Sequence, residues 1–102
     1  MANRLQLHKE LCEIIGSTNV YFQPPASVSM KYPCIKYSLS GIDIAHADDR
    51  NYKNIREYMV TVMDKNPDSE TPEKILDHFR MCRFDRSYTA DNLNHYVITL
   101  YY

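Results

Sequence analysis

The side chains that could do chemistry are few and scattered along this chain of 102 residues. One grouping has the character of a metal site: His46 lies beside Asp48 and Asp49, an imidazole next to two carboxylates. The spacing matches no established ligand pattern, so a solvated polar loop is the preferred interpretation. Asp77 and His78 are neighbours on a predicted helix and point in different directions, which argues against a catalytic dyad. We therefore expect no metal site and no cofactor.

Nucleophilic catalysis is not indicated either. The chain has no Gly-x-Ser-x-Gly motif, which would mark a nucleophile on a tight strand-to-helix turn. Its three cysteines, Cys12, Cys34 and Cys82, are far apart and form no Cys-x-x-Cys pair. This pattern predicts reduced, buried thiols of a cytosolic protein rather than a disulfide framework or a zinc site. We predict that the protein has no catalytic residue and is not an enzyme.

Basic residues do not form a continuous patch. Arg80, Arg83 and Arg86 recur at three-residue spacing, but they cross a predicted boundary between a helix and a strand, so the stripe is broken. The net charge of −1 provides no field that would attract nucleic acid or an anionic membrane. No apolar run approaches the length of a membrane span. For Arg86 we predict a buried or interfacial salt bridge.

Two helices and five strands are predicted from the periodicity of the apolar residues. Residues 4–15 form the first helix, which ends at Gly16. Residues 72–81 form the second helix, with Thr71 as its N-cap and Pro72 in the first turn. The predicted strands cover residues 20–23, 34–40, 54–63 and both sides of a closing hairpin whose turn lies at residues 89–92. Residues 45–51 and 64–70 are predicted to be exposed polar loops.

The closing hairpin organises the rest of the chain. Alternation in its first strand places Phe84, Arg86 and Tyr88 on one face and Asp85 on the other. Its second strand is apolar or aromatic on both faces, which is typical of a strand that is covered on both sides. The cover has to come from the earlier segments or from a partner subunit.

The order of elements, α-β-β-β-α-β-β, predicts an α+β fold in a single domain spanning residues 1–102. Two helices pack on one face of a mostly antiparallel sheet. A domain of this size has no further helix for the other face, and uncovered sheet faces and edges are sites of subunit pairing. The nine tyrosines suit half-buried sheet faces or an interface equally well. We therefore predict that the protein assembles.

A series of linked motifs lies between Tyr58 and Tyr102: Y-M-V-T-V-M-D-K-N-P-D-S, a helix containing K-I-L, and R-F-D-R-S-Y-T-A-D-N-L-N-H-Y-V-I-T-L-Y. Together with V-Y-F-Q-P-P and M-K-Y-P-C-I-K-Y upstream, this block resembles the tail terminator, or tail completion, proteins of long-tailed bacteriophages. The resemblance covers nearly the whole chain and is densest over residues 84–101. One departure is the segment A-D-D-R-N-Y, which stands where the family has a stretch similar to A-D-N-x-x-Y.

The resemblance implies a structural virion protein of a phage or prophage. Such proteins form a ring, usually six-fold, at the head-proximal end of the tail, after assembly in the cytoplasm of the bacterial host. The implied partners are further copies of the chain, the tail tube protein and a neck or head-completion protein. The candidate residues for subunit contacts are Arg86, Tyr88, Tyr96 and Tyr101. The candidate residues for contacts with the tube or neck are His46, Asp48, Asp49, Arg50, Lys65 and Asp68.

Two alternatives stay open at this point. The first is another structural role in the same virion, as a head-completion, neck or minor capsid protein. Such proteins are also small, carry little net charge and have no catalytic site. The second is a small phage-encoded enzyme or regulator. It would need a pocket of converging polar groups, for which His46, Asp48 and Asp49 are the one weak candidate.

Overall fold

Two helices lie against one five-stranded sheet in the computed structural model, which describes residues 4–24, 31–47 and 50–102, and the side chains of all of these except residues 43–47 and 50–55. The helices are α1 (Arg4–Ile15) and α2 (Thr71–His78). The strands are β1 (Val20–Phe22), β2 (Cys34–Ala47), β3 (Arg50–Asp64), β4 (Cys82–Ala90) and β5 (Leu93–Tyr101). The predicted α+β fold and its order of elements are confirmed.

The sheet has the strand order β1-β2-β3-β5-β4. β1 runs parallel to β2, and every other neighbouring pair is antiparallel. Apolar side chains from α1, α2 and the facing side of the sheet form the core: Leu7, Leu11, Val20, Ile35, Tyr37, Tyr58, Val60, Val62, Ile75, Phe79, Ile98 and Leu100. We call this side of the sheet the helix face and the opposite side the far face.

The ends of the helices follow local backbone chemistry. Gly16 closes α1 with a φ of 75°, and its N–H donates to the Cys12 carbonyl at 2.9 Å, as the sequence predicts for a left-handed cap. The N-cap of α2 is Glu70 rather than the predicted Thr71, which already lies inside the helix. The helix also ends at His78, before the predicted Met81, because the backbone of Phe79 is extended and its side chain is buried in the core.

A polar cluster anchors α1 to the sheet. The hydroxyl group of Tyr37 is hydrogen-bonded to Nδ1 of His8 at 2.7 Å and accepts a longer bond from Arg4 at 3.4 Å. The guanidinium of Arg4 also lies 4.4 Å from the ring centroid of Phe22, a cation–π arrangement. Burial, and then the nearby Arg4 charge, lowers the pKa of His8 and favours its neutral form. The cluster satisfies the polar end of a buried tyrosine, and we assign it a structural role.

β2 and β3 are longer than predicted and continue beyond the rest of the sheet. β3 pairs with β5 only from Glu57 onward, whereas its pairing with β2 begins at Arg50. Residues 42–47 and 50–56 are therefore a two-stranded ribbon. The prediction of a loop at residues 45–51 is wrong for residues 45–47 and 50–51, which are strand, because ladder pairing outweighs their polar composition. Residues 48 and 49 of that predicted loop lie outside the described residues.

The closing hairpin forms as predicted, with a tighter turn than residues 89–92. Asp91 and Asn92 both have positive φ values, 53° and 62°, which suits a two-residue turn that follows the right-handed twist of the strands. Residues 89 and 90 belong to β4.

A β-bulge at Asp85 overturns the predicted faces of β4. Phe84 is opposite Ile98, and Arg86 is opposite Val97, so β4 has one extra residue, Asp85, between two positions that are consecutive in β5. Phe84 consequently stays on the helix face, while Arg86 and Tyr88 lie on the far face. The uninterrupted alternation predicted from the sequence, which placed all three together, is wrong from residue 85 onward.

Candidate functional site

One row of paired residues crosses four strands on the far face. Lys36 on β2 is opposite Thr61 on β3, Thr61 is opposite Val97 on β5, and Val97 is opposite Arg86 on β4. Directly opposed residues share a face, so the two cations flank a floor formed by the buried Thr61 and Val97. With strands spaced about 4.8 Å apart, Lys36 and Arg86 start from positions about 14 Å apart.

We call this surface the cationic trough; its lining includes Gln23, Pro24, Lys36, Ser38, Met59, Thr61, Arg86, Tyr88 and Val97, and its volume is about 360 Å³. Tyr88 forms one wall and is stacked on His95, with ring centroids 4.7 Å apart and planes 4° from parallel. The described lining residues include two cations and no carboxylate. The trough therefore suits an anionic ligand or an acidic protein surface.

The cations of the trough are not neutralised within the described part of the chain. The nearby carboxylate of Asp85 is already engaged: it accepts from Thr99 Oγ1 at 2.5 Å and lies 3.3 Å from Arg83 Nε. Neither Lys36 nor Arg86 forms an ion pair with any described residue. Arg86 is exposed, so the buried salt bridge expected for it is excluded, and an interfacial one remains a prediction.

A second concave surface lies on the helix face, beside the same edge strand. We call it the acidic groove; it has a volume of about 530 Å³ and is lined by Pro67, Asp68, Ser69, Glu70, Pro72, Glu73, Leu76, Phe84 and Tyr96. Three carboxylates contribute to this lining, and its described residues include no cation. The hydroxyl of Tyr96 donates to the Pro67 carbonyl at 2.8 Å and so holds the loop before α2 against β5.

The residues predicted for subunit contacts are divided between the two faces. Arg86 and Tyr88 come together in the trough, and Tyr101 lies on the same far face, opposite Glu57. Tyr96 lies on the helix face and lines the groove. Their role in assembly stays a prediction, but they do not form a single patch.

Only some of the residues predicted to contact the tube or neck have side chains that the structure describes. Asp68 lines the acidic groove, and Lys65 lies on the exposed loop between β3 and α2. His46 and Arg50 belong to the ribbon strands, and their side chains are outside the described part of the structure. Asp48 and Asp49 lie entirely outside the described residues.

The sequence analysis did not include Lys36, Phe84, Glu70 and Glu73 among the candidate contact residues. Lys36 carries a usable signal, because it lies between Ile35 and Tyr37, which are both buried, and so must be on the opposite face. Its proximity to Arg86 has no local signal, since three separate strand pairings bring the two residues together.

No cluster of metal-ligating side chains is found in the part of the chain that the structure describes. No three side chains of His, Cys, Asp or Glu come together there as a metal site. All three cysteines are free thiols. Among the described helices, none is long and apolar enough to cross a membrane.

Cys34 should resist thiol reagents until the protein unfolds. It is fully buried, and burial raises the pKa of its thiol to about 11, so about one molecule in a thousand carries the thiolate at pH 8. We expect a variant with Cys12→Ser and Cys82→Ser, which retains Cys34 alone, to react with a thiol-specific chromogenic disulfide only at its unfolding rate. Rapid labelling of one thiol per chain in the folded variant would contradict this burial.

Comparison of the chain with models of known protein families, with curated proteins and with solved structures finds no match.

Proposed function

We propose that this protein is a structural component of a bacteriophage tail: a terminator that forms a ring on the head-proximal end of the tail tube, stops its polymerisation and provides the joint to the head. Its partners would be further copies of itself, the tube protein and a neck or head-completion protein. The ring would belong to the virion after assembly in the host cytoplasm.

The observation that carries this proposal is the architecture of the chain. The resemblance to tail terminators, which covers nearly the whole chain, implies a leading helix, a sheet, a helix on one face and a final hairpin, and the fold has this order. Both helices contribute to the core on one face of the sheet, and the far face bears the cationic trough. A protein with two dissimilar concave surfaces suits assembly better than turnover of a small molecule.

The exposed edge of the sheet gives further support. β4 is an edge strand of nine residues, and most of its side chains are exposed, including Phe84 and Tyr88 at 46% each. Exposed edge strands with apolar side chains are liabilities unless something pairs with or covers them. An assembly in which each copy covers part of its neighbour would remove that liability.

Deletion of the gene from the phage genome that carries it tests this function. We expect tails longer than normal and unattached to filled heads, because tube polymerisation is no longer stopped. Electron microscopy of the lysate measures tail length directly, and complementation from a plasmid should restore it. Tails of normal length beside filled heads would move the protein to the head side of the joint, and normal infectious particles would remove the structural role.

A further inference from the structure

We infer that copies of this chain associate head to tail, with the acidic groove of one copy seated on the cationic trough of the next. This inference deepens the proposed ring and rests on that function for its biological setting. The occupant of each surface is thus a second copy of the same chain.

Charge complementarity is the first argument. Lys36 and Arg86 supply two unpaired cations to the trough, while the groove supplies the carboxylates of Asp68, Glu70 and Glu73. The described residues provide no ion pair to any of these five groups. Opposite potentials on two patches speed encounter and select orientation, whereas like charges penalise wrong pairings.

Apolar contact area is the second argument. Phe84, 46% exposed, lies in the acidic groove beside Leu76, and Met59, 38% exposed, lies in the trough. Tyr88 adds an exposed aromatic ring whose plane is fixed by stacking on His95. Aromatic residues and arginine are the common energetic anchors of protein interfaces, so each surface holds at least one such anchor.

The geometry favours a heterologous contact. Phe84 and Arg86 are close in sequence but lie on opposite faces of β4, so one copy cannot bring its own trough and groove together. Asp68 and Glu73 are five residue steps apart, so their Cα atoms are at most about 18 Å apart even in an extended chain, comparable with the distance of about 14 Å across the trough. A contact between two different patches repeats with one rotation and gives a ring when the rotation closes.

Sedimentation velocity of the purified full chain over a range of concentrations tests the inference. We expect association that rises with concentration and weakens from 0.1 to 0.5 M NaCl, because salt screens exposed charges. Lys36→Glu with Arg86→Glu should weaken association by about tenfold or more. A matched control, Lys9→Glu with Arg80→Glu, makes the same change in net charge outside both surfaces and should associate like the wild type.

Mixing two variants with complementary charge reversals provides the decisive test. A chain with Glu70→Lys and Glu73→Lys should also associate more weakly than the wild type on its own. It should associate more strongly with the Lys36→Glu, Arg86→Glu chain than either variant does alone, because the reversed charges of the two surfaces are again opposite. Circular dichroism and unfolding midpoints establish that all variants are folded. A wild type that stays monomeric at every concentration would overturn the inference, as would association unaffected by the charge reversals, equally weakened by the control or not restored by mixing.

The inference and the proposed function fail separately. A monomeric wild type together with overlong tails after gene deletion would remove this contact and leave the terminator function standing. Charge-dependent association together with normal infectious particles after deletion would keep the contact and remove the function.

Discussion

Replacement of Ile98 with alanine should lower the free energy of unfolding by about 2–5 kcal/mol. Ile98 is fully buried in β5, opposite Val60 on β3 and Phe84 on β4, so the substitution leaves a cavity in the centre of the sheet's helix face. A domain of this size has a total stability of about 5–15 kcal/mol, so the loss is a large fraction of it. Because the chain has no tryptophan, unfolding in urea is followed by circular dichroism or tyrosine fluorescence.

Phe84→Ala is the matched control for this prediction. Phe84 is paired directly with Ile98 and shares its face, but it is 46% exposed and lies outside the central core. We expect a stability loss below about 1 kcal/mol, because removal of a partly exposed ring leaves no enclosed cavity. The same variant should weaken self-association if the acidic groove is an interface. Equal destabilisation by the two substitutions would mean that the packing under Phe84 is tighter than its exposure indicates.

The core was predictable because its signal is local. Apolar residues at helical spacing predicted α1 with its observed bounds, and two of them, Leu7 and Leu11, are fully buried. Ile35 and Tyr37 alternate with Lys36, and both of these flanking residues are fully buried, as period-2 alternation predicts. In each case the spacing of neighbours in sequence was enough to determine which side faces the core.

The faces of β4 were not predictable from alternation. One extra residue, Asp85, shifts the register by one, and a shift of one residue moves every later side chain to the opposite face. The bulge is supported by Arg83 and Thr99, which hold the Asp85 carboxylate on the far face. Thr99 comes from the neighbouring strand, so no pattern within β4 alone indicates where the bulge lies.

The candidate site was predicted in part for the same reason. Arg86 and Tyr88 were selected by residue type, and the structure brings them together in the trough. Lys36 joins them only through three successive strand pairings, which depend on the register of β2, β3, β5 and β4. The acidic groove also combines the start of α2 with β4 and β5, elements that the chain connects through separate turns. The composition of the chain predicted that it assembles. Which charged side chains lie on the same surface depends on the order of the strands in the sheet.

Glu10→Gln should lower the free energy of unfolding by about 1.5 kcal/mol at neutral pH. It should also make that free energy less dependent on pH in the acid range. The Glu10 carboxylate on α1 lies 2.9 Å from His78 Nε2 on α2 and accepts a hydrogen bond from the hydroxyl of Tyr102. Burial alone would raise the pKa of Glu10, but the hydrogen bonds from Tyr102 and His78 outweigh it and hold that pKa below its ordinary value. One carboxylate thus joins both helices to the segment that follows β5.

The sign of the pH effect follows from the lowered pKa. A carboxyl whose pKa is lower in the folded state contributes stability above its unfolded value of 4.5, and that contribution is lost as pH falls through the folded value. Urea unfolding measured between pH 7 and pH 3 should therefore show that the free energy of unfolding falls more steeply with decreasing pH for the wild type than for Glu10→Gln. Glu13→Gln, an exposed neighbour on the same helix, should retain the wild-type slope. Parallel curves for wild type and Glu10→Gln would mean that the carboxylate does not hold the helices together, and that apolar packing alone positions α2 beside the acidic groove.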